Sequence, residues 1–312
     1  MALIMLMSIG TAAMAQPASY DHVTIGSTTQ MKGDFFTDMW GNATSDADVR
    51  LLLHGYSLVT WDGGQGVYRV DPNVVTSVTK TENGDHTYTI SLAHDLYYSD
   101  GTQITAKDYA FSLLLQMSPV IEELGGAPLR REHILGAEAY AEKKTNVLSG
   151  VKVLDDYTLS ITLDRAYLPF YYEEGLLDCN PYPISVLAPG CEVKDDGDGV
   201  YLEGDASAAA LGNAISGYRK NPSVVSGPYK LVSFDGVTAE LERNTYYKGN
   251  ANGEKPKFEK LTFTLAENDT MIQKLQNGEF QLLNKVTKAD TIDAGLKTTG
   301  TASVNYPRTG LS

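Results

Sequence analysis

The sequence predicts an α/β fold, and three observations carry that prediction. Residues 87–92 and 157–163 alternate apolar and polar side chains, and residues 22–27, 229–234 and 261–265 are further short runs of strand character. A period of two sends successive side chains to opposite faces of a half-buried strand. Between these runs lie segments with helix-start signals and apolar residues at helical spacing, at 105–117 and 268–276. The 312 residues, 42% apolar and 21% charged, suit a globular chain with one large or two medium cores.

The elements follow in order. Residues 2–13 are an apolar run too short to span a bilayer, and Ala13-Met14-Ala15 reads as an export cleavage site, so residues 1–15 are expected to be a signal peptide. Residues 22–27 open the mature chain as a strand, followed by a loop with Gly33 and Asp34. Residues 46–53 read as a helix capped by Ser45 or Asp46. The stretch 61–66 is a glycine-rich turn; it lacks the Gly-Lys-Ser/Thr ending of a phosphate loop. Residues 99–108 form a turn into a helix start in which Thr105 and Asp108 make a capping box. That helix runs to about Met117, with Tyr109, Leu113 and Met117 on one face. Residues 120–145 are mixed and partly helical, and 166–192, rich in Tyr and Pro, are irregular.

Residues 195–199 are an acidic surface turn, since the spacing of oxygens does not match a calcium loop. Pro228 precedes a hairpin: strand 229–234, a two-residue Asp235-Gly236 turn needing positive φ, and strand 237–243. After strand 261–265, Asn268 or Asp269 caps a helix through Gln276, with Met271, Ile272 and Leu275 inward and Gly278 just past its end.

Composition narrows the function. A net charge of −14 repels phosphate backbones and anionic lipid heads, which argues against nucleic-acid and membrane-surface partners. The five histidines fall in different elements and match no metal-ligand or catalytic spacing, and no Gly-x-Ser-x-Gly elbow occurs. No metal, cofactor or catalytic residue is expected. Cys179 and Cys191 flank a Pro-rich loop; in an oxidising compartment a local disulfide is expected, with two buried thiols as the alternative.

Three stretches together carry a family resemblance: Gly227-Pro-Tyr, a hairpin and Glu242-Arg-Asn-x-x-Tyr247; Asp100-Gly-Thr-x-x-Thr-Ala-x-Asp108; and Gln276-Asn-Gly-Glu279. In these the chain resembles the extracellular solute-binding proteins of family 5, the binding components of bacterial ABC importers. The resemblance implies a type II periplasmic-binding fold of two lobes. Residues 20–45 and 166–265 would form lobe I, 46–165 an inserted subdomain, and 266–312 the crossing into a lobe II of which most is absent. It implies capture of oligopeptides or dipeptides outside the membrane by lobe closure, with no chemistry on the ligand. The partners would be an ABC permease and its ATPase, and the protein itself a monomer. The family also takes nickel chelates, haem, sugars and opines. By analogy the loop holding Thr28, Gln30 and Met31 lies at the cleft, Trp61 and Tyr182 are aromatic candidates for side-chain pockets, and Ser226 and Gly227 lie near the hinge. With lobe II curtailed, this chain is expected to bind peptides weakly or not at all. A secreted carbohydrate-active hydrolase, and a sensory or adaptor protein reusing the fold, are the alternative readings.

Overall fold

In β1 (His22–Ser27), Val23, Ile25 and Ser27 are buried at a period of two. Everything else in the first sheet is arranged around this strand. The computed structural model describes residues 21–304, so the export segment expected at 1–15 and the chain after 304 lie outside the described residues. After β1 come α1 (Thr44–Leu53), β2 (Val59–Asp62), β3 (Val67–Val70), β4 (Val75–Asn83), β5 (Asp85–Leu92) and α2 (Ala106–Met117). The chain continues through α3 (Pro119–Glu123), α4 (Ala137–Ala141), β6 (Val151–Asp155), β7 (Thr158–Leu163), α5 (Ile184–Leu187), β8 (Glu192–Asp195), β9 (Val200–Glu203) and α6 (Ala208–Lys220). It returns with β10 (Tyr229–Phe234), β11 (Ala239–Arg243), β12 (Lys260–Leu265), α7 (Met271–Gln276), β13 (Leu282–Asn284) and α8 (Ala289–Lys297).

The first sheet has the order β10-β11-β12-β1-β13. β10, β11 and β12 form an antiparallel meander, whereas β12, β1 and β13 run parallel. The second sheet, β4-β5-β7-β6, is wholly antiparallel, and β2-β3 and β8-β9 are separate two-stranded ribbons. Each sheet has its own core. Val23, Ile25, Phe35, Val49, Leu53, Leu241 and Phe263 fill the first. The second gathers around α2, of which every residue but Lys107 is buried. The one-faced helix expected from Tyr109, Leu113 and Met117 is therefore a central helix, apolar nearly all round because β6, β7, β8, β9, α3 and α4 enclose it. Its capping residue behaves as expected: the Asp108 carboxylate accepts from the Thr105 N–H at 2.8 Å and hydroxyl at 3.0 Å.

The packing divides the chain differently from the expected segments. Val49 and Leu53 of α1 belong to the first core, not to the inserted unit. Leu177, Leu187, Val200, Leu211 and Tyr218 belong to the second, so the inserted core extends past residue 165. β13 pairs with β1 in the stretch where a crossing to another lobe was expected. The 235–236 turn is longer than two residues. Asp235 accepts from the Val237 and Thr238 N–H groups at 2.8 and 2.7 Å, Gly236 has φ 100°, and the returning strand starts only at Ala239. Cys179 and Cys191 are free thiols, which corrects the expected disulfide. Their sulfurs point to different partners, Cys179 to the Tyr109 carbonyl and Cys191 to that of Asp205.

Candidate functional site

The parallel strands β12, β1 and β13 all end at one edge of the sheet, where Ser27 stands in register with Leu265 on one side and Asn284 on the other. Ile25 packs with Val49 and Leu53, which places α1 on one face. Gly26 points the opposite way, where a Cβ would come within 2.8 Å of Ala266 Cβ and Leu283 Cδ2. Those residues pack with Met271 of α7 and Phe280. The chain thus leaves β1 toward one face and β12 toward the other; such a divergence outside the strand ends defines the crevice at which α/β sheets bind ligands.

Polar groups line this crevice. Lys285, just past β13, holds a left-handed backbone at φ 60°. Its ammonium meets Asp48 Oδ1 at 2.6 Å and the Thr44 carbonyl at 3.2 Å. Asn284 Nδ2 donates to the other Asp48 oxygen at 2.8 Å. The Thr28 hydroxyl donates to the Lys285 carbonyl at 3.1 Å, tying the end of β1 to the end of β13. Ser45 donates to the Thr29 carbonyl at 2.6 Å. Asp46, beneath them, accepts from the backbone N–H groups of Lys32, Gly33 and Asp34 at 2.9, 3.2 and 3.3 Å. That carboxylate holds the 32–34 loop through three backbone N–H groups. The site offers hydroxyls, a carboxamide and a matched ion pair: groups that orient a ligand by hydrogen bonding.

Of the residues singled out from the sequence, Thr28 and Gln30 lie at this rim, Gln30 exposed and donating to the Gly236 carbonyl at 3.4 Å. Met31 does not: at 4% exposure it is part of the first core. Tyr182 is likewise a core residue, packed edge-on to Phe36 with ring centroids 4.8 Å apart and accepting from Gln116 Nε2 at 2.9 Å. Burial pushes its phenol up to about 12. Trp61 is half exposed, on the β2-β3 ribbon. Asp48, Asn284 and Lys285 were not singled out from the sequence; the Gly278-Glu279 step just upstream of β13 was the one local cue to them.

Ser226 and Gly227 are buried where the two cores meet. The Ser226 hydroxyl accepts from the Gly55 N–H at 3.1 Å and donates to its carbonyl at 3.0 Å. Gly227 N–H donates to the Leu53 carbonyl at 2.8 Å. A Cβ on Gly227 would lie 2.4 Å from the Leu52 oxygen, so only glycine fits. Asn244 closes the joint by donating to the Gly227 carbonyl at 2.8 Å. Tyr247 stacks on Tyr56 at 5.1 Å, and the Tyr56 hydroxyl accepts from the Lys248 N–H at 2.6 Å. From the Ser99 turn, the Ser99 hydroxyl accepts from the Val225 N–H at 3.1 Å. The motif residues therefore build a joint between the two cores, at the opposite end of the first sheet from the crevice.

A mixed sheet entered first by β1, a long insertion with its own core, and a polar crevice at the parallel strand ends together make a type II periplasmic-binding fold. The chain belongs to the bacterial extracellular solute-binding proteins, family 5, whose middle-region profile matches residues 69–311. The periplasmic oligopeptide-binding protein OppA of Escherichia coli K12 is 27% identical over 202 residues, 63% of this chain and 32% of that protein. The probable deoxycholate-binding periplasmic protein YgiS of the same organism is 29% identical over 118 residues, 38% of this chain and 22% of that one. Listeria monocytogenes OppA bound to peptide superposes with a TM-score of 0.66 at 16% identity, over 90% of this chain and 49% of its own. The matched stretch thus spans about a third of the E. coli OppA relative's length.

Proposed function

We propose that this chain is part of the substrate-binding component of an ABC importer. It would capture oligopeptides or dipeptides outside the membrane, close on them between two lobes and hand them to a permease. The observation that carries the reading is the polar cluster of Thr28, Asp48, Asn284 and Lys285 at the ends of the parallel strands β12, β1 and β13. Crevices at such strand ends bind ligands, and a ligand held there would be enclosed by hinge closure of a facing lobe. Membership of the family and the oligopeptide-binding name of the E. coli relative support the peptide class. The periplasmic names of both relatives support an extracytoplasmic location.

Mass spectrometry of small molecules co-purifying with the full-length protein tests the reading. Peptides released on denaturation are the expected result. A protein that carries only a non-peptide solute, and shows no heat of binding with a random peptide mixture, would overturn the peptide class while leaving solute binding intact. Turnover of a glycan panel would overturn the binding-protein reading itself.

A further inference from the structure

Away from the crevice, the structure gathers exposed aromatic rings in one place. Trp61, Tyr68, Phe170, Tyr171 and Tyr172 are 50, 37, 44, 80 and 38% exposed, and they lie side by side. Trp61 and Tyr68 are cross-strand partners on the β2-β3 ribbon, with ring centroids 5.0 Å apart. Tyr172 comes within 5.9 Å of Trp61 and 6.2 Å of Tyr68, and Tyr171 within 4.8 Å of Tyr172. A Cβ on Gly175 would sit 2.7 Å from the Tyr68 ring, so a glycine lets the 170–175 segment close down on the ribbon. Burial would normally drive such rings inward. Apart from these five, the strongly exposed aromatic side chains among the described residues are Tyr167 and Tyr246.

All of these rings but Trp61 wall a pocket of about 380 Å³, completed by Val67, Val78 and Tyr88 and by the charged Arg69, Lys80, Glu173 and Glu174. That volume falls within the range of small-molecule sites. The lining charges are matched, two of each sign, with Glu82 outside the lining as a further partner of Lys80. Lys80 reaches Glu82 at 2.7 Å and Glu173 at 3.1 Å, and Arg69 reaches Glu174 at 3.9 Å. Glu173 is held rigidly, since Tyr88 donates to its Oε1 at 2.6 Å and His86 Nδ1 lies 2.6 Å from the same oxygen. Arg69 and Glu174 are less tied, with side chains 51 and 35% exposed.

This combination selects a ligand class. Paired charges leave no net field to choose an ion. The guanidinium supplies donors, the carboxylates acceptors, and the phenols both. Flat rings supply apolar contact at low entropic cost. A neutral molecule with an apolar face and a dense ring of hydroxyls satisfies all of these at once. We propose that this pocket binds a pyranose sugar, one ring face against Tyr171, its edge against Tyr172 and its hydroxyls on Arg69 and Glu174.

The test is to titrate the 312-residue chain with cellotriose, maltotriose and triacetylchitotriose. Calorimetry and the emission of Trp61, which touches the pocket wall through Tyr68 and Tyr172, give the readout. Saturable binding of at least one trisaccharide is expected at a Kd of about 1 mM or tighter. Tyr171→Ala, at an exposed position, should weaken it about ten-fold with unchanged thermal unfolding, as loss of one stacking contact would. Arg69→Gln should weaken it too. No saturation with any of the three sugars overturns the proposal, as does binding that Tyr171→Ala and Arg69→Gln leave intact. Binding of a nonameric polyproline peptide in place of the sugars overturns it in favour of a protein-docking groove.

Discussion

Asn244 donates to the Gly227 carbonyl across 2.8 Å, and so ties the end of one hairpin strand to the entry of the other. Both residues are buried in the joint between the cores. Gly227→Ala is expected to cost about 1–3 kcal/mol, because its new methyl meets backbone that cannot rotate away. Asn244→Ala leaves a buried carbonyl unpaired and is expected to cost about 1–3 kcal/mol. Urea denaturation of both single variants and the double variant checks this. Strictly additive losses would argue against the coupling.

The buried Asp108 and the partly buried His54 are shifted in opposite directions. Burial lowers His54 to about 4 and raises Asp108 to about 6. His54 binds fewer protons folded than unfolded, so its contribution is present above about 6.5 and is lost as pH falls toward 4. Asp108 binds more protons folded, so its contribution is present below about 4 and is lost as pH rises through 6. Each amounts to about 3 kcal/mol at most, less for His54, whose ring water partly reaches. The two slopes oppose each other in the wild type. Asp108→Asn should therefore gain stability from pH 4 to 6.5, and His54→Gln should lose it over the same range. Equal pH slopes in wild type and both variants would refute the assignment.

The two thiols are expected to react at very different rates. Cys179 is buried and burial pushes its thiol up to about 12, while Cys191 is partly exposed. The thiolate is the reactive form, so Ellman's reagent should modify Cys191 promptly and Cys179 only on unfolding. Both should titrate in guanidinium without reductant. Finding no thiol under that condition would mean that the chain is cross-linked.

Met31 and Gln30 are neighbours with separate expected roles. Met31→Ala should cost about 2–5 kcal/mol by opening a cavity in the first core. Gln30→Ala should cost less than about 0.5 kcal/mol, being exposed. In the full-length protein Gln30→Ala should alter ligand affinity and Met31→Ala should not. Calorimetry alongside thermal unfolding separates the two, and the reverse pattern would move the site off this rim.

Local signals suffice for β1, for the Asp108-capped α2 and for β10, whose bounds follow from alternation and capping. They fail for α6, where only Leu211, Ile215 and Tyr218 are buried among small and polar residues. They fail again for β13, three residues that become a strand because β1 offers an edge. The crevice was half legible for the same reason. Thr28 and Gln30 follow directly on a readable strand, whereas Asp48 and Asn284 meet across 236 residues of sequence. Met31 and Tyr182 show the converse: residue type marks an apolar or aromatic side chain, and only packing decides which way it faces.

β1 finds its partners late. His22 touches Thr262, 240 residues further along the chain. At ribosomal speed that interval lasts roughly 10–50 s. Through that time Val23 and Ile25 belong to a strand without a sheet, and the second core has its whole sequence once Tyr247 is made, before β12 follows. The order of synthesis thus lets the insertion fold before β12 and β13 arrive on either side of β1.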